Sequence, residues 1–85
     1  MFLLIIIYAI CMLMNMAVAE TIKALRIQKG ISQEKLADAI DSHQVYISEI
    51  EKGKKIPSLT ILYNIAEFFD IPLHKLIKII EEKLD

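Results

Sequence analysis

The side chains best placed to do chemistry in this chain fall in one run. Ser32 to Lys54 reads SQEKLADAIDSHQVYISEIEKGK. Its outward-facing candidates are two amides, Gln33 and Gln44, a hydroxyl, Ser48, and an acid, Glu49. These groups donate and accept hydrogen bonds but do not attack substrates. A helix that holds short polar side chains out from a small globule has what reading a DNA major groove requires. No nucleophile–base pair and no glycine-rich phosphate loop accompanies them, so no enzymatic activity and no cofactor are expected.

Presenting those groups takes two short helices locked at a fixed angle. Leu36, Ala37, Ile40, Val45, Ile47 and Ile50 include the apolar positions able to do this, and Ala37 is small, as a close helix crossing demands. Ser32 reads as the N-cap of the first of the pair, with Glu34 near the helix's positive end. Asp41 falls in the connecting turn, where a left-handed residue is favoured and Asp is better tolerated than most. The second helix is predicted over residues 44–52, with Ser42 or His43 at its cap and Gly53 at its end. A preceding helix is predicted from Glu20 to Lys29, stopped by Gly30.

The remaining composition narrows the class. The chain has 85 residues and formal charge −1, one cysteine and two histidines far apart. That length allows one small domain. A cysteine-based zinc site and an internal disulfide are excluded, and no metal site is expected. Cys11 reads as a small buried hydrophobe. The net charge is not that of a strongly basic nucleic-acid binder, but its distribution is uneven. Lys23, Arg26 and Lys29 lie on the first amphipathic helix, and Lys52, Lys54 and Lys55 follow the last residues of the helix pair. Glu81, Glu82 and Asp85 sit at the other end. A basic face is compatible with an overall balance near zero.

The chain changes character near Ala19, dividing it into an apolar segment, 1–19, and an amphipathic domain, 20–85. From Phe2 to Ala19 no residue is charged and Asn15 is the only plainly polar one. Such a run suffices for a membrane anchor, with the basic residues after it keeping the domain in the cytoplasm. It also reads as an extension ahead of an internal start at Met12, Met14 or Met16, as a signal peptide lacking its basic n-region, or as a helix buried in an oligomer.

Several pieces share one ungapped register: Leu25-Arg26-Ile27-Gln28-Lys29-Gly30, Ser32-Gln33-Glu34-Lys35-Leu36-Ala37, Tyr46 to Gly53, Pro57-Ser58-Leu59, and Leu62-Tyr63-Asn64-Ile65-Ala66. Together, from Ile22 to Leu76, they resemble the Cro/repressor-type (XRE-like, lambda-repressor-like) helix-turn-helix family. The resemblance implies an all-α, five-helix domain, here preceded by the apolar segment. A fourth helix would start at the Ser58 cap and bury Leu59, Leu62, Ile65, Ala66 and Phe69. A fifth would follow Asp70-Ile71-Pro72, with Leu73, Leu76, Ile77, Ile80 and Leu84 at helical spacing.

The resemblance also assigns roles. Gln44, Val45, Ser48 and Glu49 would meet base edges, with Gln44 bidentate to adenine, Val45 against a thymine methyl and Glu49 accepting from cytosine. Ser32, Gln33, Tyr46, Lys54 and Lys55 would contact phosphate. Arg26 and Glu51 would form a structural ion pair. Phe68, Ile79, Ile80 and Leu84 are candidates for a dimer seam. The implied partner is double-stranded DNA, bound by a homodimer on a palindromic operator, as a repressor or controller. An interaction module that keeps the fold but not the DNA function, as in antitoxins, is the competing expectation, and a membrane-tethered regulator is a third.

Overall fold

No glycine and no proline interrupts the chain from Phe2 to Lys29, and that whole stretch forms a single helix, α1 (Phe2–Lys29), in the computed structural model, which describes residues 1–85. Four shorter helices follow: α2 (Gln33–Ala39), α3 (Gln44–Glu51), α4 (Leu59–Phe68) and α5 (Leu73–Glu82). The second, third, fourth and fifth match the expected elements closely. The first does not begin at Glu20. The compositional change near Ala19 falls inside a helix, because no residue there can stop one.

The buried face of α1 explains why the helix continues. Ala17, Val18 and Ala19 are 4 %, 2 % and 1 % exposed, as fully enclosed as Ile22 one turn on. Met14 packs against the edge of the same core. Asn15 Nδ2 donates to the Gly53 carbonyl at 3.4 Å, and the Met16 side chain lies over Gly53, where its sulfur would come within 2.8 Å of any added Cβ. Residues 14–19 therefore belong to the fold. By length and composition α1 could cross a membrane, but the last third of the run read as an anchor is occupied by the core or its rim. Residues 2–13 are exposed and give the molecule its 42 Å long axis against 25 and 21 Å. Cys11, expected to be buried, lies on this exposed arm.

The core draws on every helix: Val18 and Ile22 from α1, Leu36 and Ala37 from α2, Ile47 and Ile50 from α3, Leu62, Ile65 and Ala66 from α4, and Leu76 and Ile80 from α5. Helix α3 packs against both α2 and α1, while α5 packs against α1 and α4. Leu59 departs from expectation. It is the first residue of α4, points outward and is 66 % exposed.

Tight reversals keep these helices in place. The helices α1 to α4 each end with a left-handed residue, Gly30 (φ 73°), Asp41 (φ 55°), Gly53 (φ 76°) and Asp70 (φ 58°). Around each, two backbone N–H groups fold back onto the last carbonyls. At Asp70 these are Asp70 N to Glu67 O at 3.1 Å and Ile71 N to Ala66 O at 3.0 Å. This is the geometry that satisfies otherwise unpaired helix-end carbonyls. Two of the four positions carry aspartate where glycine is freer. Asp70→Gly is therefore expected to stabilise the fold by up to about 1 kcal/mol, the relieved strain exceeding the added freedom of the unfolded chain. A shift of the urea midpoint to higher concentration would register it, and an unchanged or lower midpoint would count against the strain argument.

Candidate nucleic-acid interface

Ser32 and its turn start the site. The Ser32 hydroxyl accepts from Lys35 N at 3.0 Å, capping α2, and places Gln33 as its first residue. The α2–α3 reversal then runs through Asp41, with Ser42 N bonded to Ala37 O at 2.8 Å. Helix α3 opens at His43, whose side chain makes no capping bond. The register thus stays at His43 and does not shift to Ser42, and Gln44 is the first residue of α3.

Gln44, Val45, Ser48 and Glu49 share one face of α3, because residues four apart lie on the same side of a helix. Ile47 and Ile50 on the opposite side are fully buried. Gln44 is exposed and Val45 is 64 % exposed, whereas Ser48 and Glu49 are half-buried. Tyr46 is half-buried, and Lys54 and Lys55 are exposed just beyond the end of α3. Lys55 Nζ stands 3.8 Å from Glu49 Oε1 and 5.9 Å from the centre of the Tyr46 ring. The cation offsets some of the negative charge that Glu49 brings to this face, though an exposed pair of this kind contributes little energy.

Behind this face lies a chain of hydrogen bonds. Gln44 Nε2 donates to Gln33 Oε1 at 2.7 Å, and Gln33 Nε2 donates to Glu51 Oε1 at 3.0 Å. Arg26 grips the same carboxylate with two nitrogens, Nε to Oε2 at 2.7 Å and Nη2 to Oε1 at 3.0 Å. Its remaining nitrogen, Nη1, donates to the Ile31 carbonyl at 2.8 Å. The guanidinium is held above its ordinary range, chiefly by the hydrogen bond to Glu51, with the charge of Glu51 adding to it and burial opposing it. One ion pair thus ties α1, the α1–α2 loop, α2 and α3 together. The sequence reading paired Arg26 with Glu51 and gave Gln33 a role beside Gln44. It missed the Gln33–Glu51 bond that joins the two pairs. The only signal for it was that Glu51 lies on the same side of α3 as Gln44, seven residues on.

A helix-turn-helix family model matches residues 22–76, from the buried face of α1 to the middle of α5. The chain belongs to the helix-turn-helix family. Among its relatives, the HTH-type transcriptional regulator DdrOP3 of Deinococcus deserti is 30 % identical over 66 residues, covering 78 % of this chain and 51 % of its own. The uncharacterized HTH-type transcriptional regulator YgzD of Bacillus subtilis is 33 % identical over 61 residues, covering 72 % of this chain and 92 % of its own. This helix-turn-helix chain therefore spans about half the length of the first and nearly all of the second. Among solved structures, the restriction-modification controller protein C.AhdI from Aeromonas hydrophila superposes with a TM-score of 0.68 at 29 % identity, over 73 % of this chain and 94 % of its own.

In this helix-turn-helix protein two of the four residues read as a dimer seam, Ile80 and Leu84, line one groove, and the other two, Ile79 and Phe68, do not. Ile80 is 4 % exposed and belongs to the monomer's own core, so it has little surface to offer a partner. Leu84 and Ile80 border an apolar groove of about 220 Å³ with Met14, Ile56, Leu62 and Ile77. Ile79 is half-buried, and neither it nor Phe68 borders that groove. Phe68 lies instead beside α2, edge-on to Phe69 at 5.2 Å, with Lys29 Nζ 4.9 Å from its ring centre.

Proposed function

We propose that this chain is a sequence-specific DNA-binding transcriptional regulator that acts on a palindromic operator as a homodimer, in the manner of a repressor or controller. The observation that carries the reading is Gln44. It is exposed at the leading end of α3, and its amide is held by Gln33 so that it meets a base edge already oriented. Val45, Ser48 and Glu49 extend the same face along the groove, and Ser32, Gln33, Tyr46, Lys54 and Lys55 flank it as phosphate contacts. The names of the family members, transcriptional regulators and a restriction-modification controller, support the same class of activity. A working place among nucleic acid puts the domain in the cytoplasm.

Two identical half-sites follow from energy. Each bidentate base contact gives about 1–3 kcal/mol of discrimination, so one subunit reading a few base pairs is weak, and a symmetric pair doubles the sum. The groove lined by Met14, Ile56, Ile77 and Leu84 supplies apolar surface for that pairing.

Footprinting of the full chain on the DNA upstream of its own coding sequence, at two salt concentrations, tests the proposal. A two-fold symmetric protected site whose affinity falls with salt is the expected result. Gln44→Ala is expected to weaken it by about 1–3 kcal/mol per half-site while leaving thermal unfolding unchanged. Absence of protection at low salt, here and on randomised duplexes, would favour a protein-interaction role for the same fold, to which the half-buried acid Glu49 on the outer face of α3 is better suited.

A further inference from the structure

We propose that Glu51 fixes the polarity with which Gln44 reads a base, acting through Gln33, so that a carboxylate buried within the fold selects between the two purines. The proposal rests on the reading of Gln44 as a groove-facing residue. An ionised carboxylate offers only acceptors. Both Glu51 oxygens are engaged, Oε2 by Arg26 Nε at 2.7 Å, and Oε1 by Arg26 Nη2 and by Gln33 Nε2, both at 3.0 Å. Gln33 must therefore turn its NH₂ group toward Glu51, and its carbonyl oxygen has to face the other way. That oxygen accepts from Gln44 Nε2 at 2.7 Å.

The constraint then passes to Gln44. One of its two N–H groups is committed to Gln33, while the second N–H and the carbonyl remain for a ligand, on sides that cannot exchange. The two ends of a carboxamide have nearly the same shape, so packing alone does not choose between its two flips, and hydrogen-bond partners do. Here the choice is inherited across two residues from a side chain only 3 % exposed. Adenine and guanine both present the N7 acceptor in the major groove. They differ at the neighbouring position, where adenine offers an N6–H donor and guanine the O6 acceptor, and their partners reverse that order, thymine offering the O4 acceptor and cytosine an N4–H donor. Spanning those two groups of one base pair, an amide free to flip meets A·T in one sense and G·C in the other, each with two hydrogen bonds. An amide with fixed polarity is matched to one of them and places like against like on the other. Glu51 is thus a positioning residue for specificity, in addition to its part in the ion pair.

The test uses the full-length chain and three variants, Gln44→Ala, Glu51→Gln and Gln33→Leu, each first checked for cooperative thermal unfolding. Bound sequences are selected from a randomised duplex pool, and the selected duplex is then titrated with A·T or G·C at each position. The parent chain is expected to separate the two purines by on the order of tenfold at one position per half-site, a ratio that Gln44→Ala abolishes. Glu51→Gln supplies an amide that can present either end, and Gln33→Leu removes the relay while leaving the Arg26–Glu51 pair whole. Both are expected to bring that single ratio close to one while ratios at other positions persist. Should Glu51→Gln fail to fold, Gln33→Leu alone decides. A purine ratio retained in folded Gln33→Leu overturns the proposal, and so does a loss spread evenly over all positions, the mark of a disturbed fold. A parent chain that selects no sequence overturns the relay together with the DNA reading. Selection that Gln44→Ala leaves unaltered overturns the relay and Gln44's role but not DNA binding.

Discussion

A chain that begins at Glu20 is expected to lose most of its stability, whereas one that begins at Met14 is expected to keep it. The cut at Glu20 follows the change in composition but removes Ala17, Val18 and Ala19 from the core, all of them at least 96 % buried. Burying a valine side chain stabilises by about 2 kcal/mol and each alanine methyl by about 1 kcal/mol, so the loss is about 4 kcal/mol. A domain of this size has only about 5 kcal/mol in total. The shorter cut removes only exposed residues, and it leaves the Asn15 bond to Gly53 and the Met16 contact in place. Far-UV circular dichroism during urea titration separates the outcomes. A 20–85 chain unfolding at the same midpoint as the 14–85 chain would refute the assignment of residues 14–19 to the core.

Glu51→Ala should produce the next largest loss, about 3 kcal/mol, because removing one member of an enclosed pair leaves the other charge unpaired. The pair's side chains are 14 % and 3 % exposed. The change would strand Arg26 with only the Ile31 carbonyl and would free Gln33 at the same time. The double variant Arg26→Met with Glu51→Leu should recover much of the lost stability, since apolar residues of similar volume can replace an enclosed ion pair at little cost. The Arg26 contribution also has a predictable dependence on pH. Its guanidinium value is raised in the folded chain, chiefly by the hydrogen bond to Glu51, so this stabilisation is fully present below the unfolded value and is lost only as pH rises through the folded one. From the arginine side the fold should therefore show no change across the neutral range. Urea titrations of the three chains at neutral and moderately alkaline pH check both statements. A double variant no more stable than Glu51→Ala would refute the ion-pair account.

What the sequence disclosed depended on how local the signal was. Ser32 and Ser58 were legible as caps because a hydroxyl three residues ahead of a backbone N–H is a short-range geometry, and both accept the expected bonds, from Lys35 N and Ile61 N. Asp41 and the two glycines were legible at helix ends for the same reason. The beginning of α1 was not, since Ala17 to Ala19 look alike in an anchor and in a core, and only the helices packed against them distinguish the two. Leu59 was misread because periodicity within α4 cannot say that its first turn projects past the neighbouring helices. Cys11 was misread because apolar neighbours in sequence suggested burial that the arm does not provide. The resemblance to a known family supplied the Arg26–Glu51 pair and the reading face. The link from Glu51 to Gln33 depends on side-chain reach across two helices, and the seven-residue spacing of Gln44 and Glu51 gives only their shared side of α3.

The unbroken α1 has a mechanical consequence. With neither glycine nor proline between Phe2 and Lys29 it has no hinge, so the exposed arm and the arginine that anchors α3 are parts of one stiff rod. Tilting the arm tilts the reading head by the same angle. Two copies clasped along their arms would carry their α3 helices at one separation and one relative angle. They would then engage only duplexes whose half-sites are spaced to match, near one helical repeat of about 34–36 Å or a multiple of it. The arm would in that case act as a ruler, measuring the distance between half-sites without touching a base.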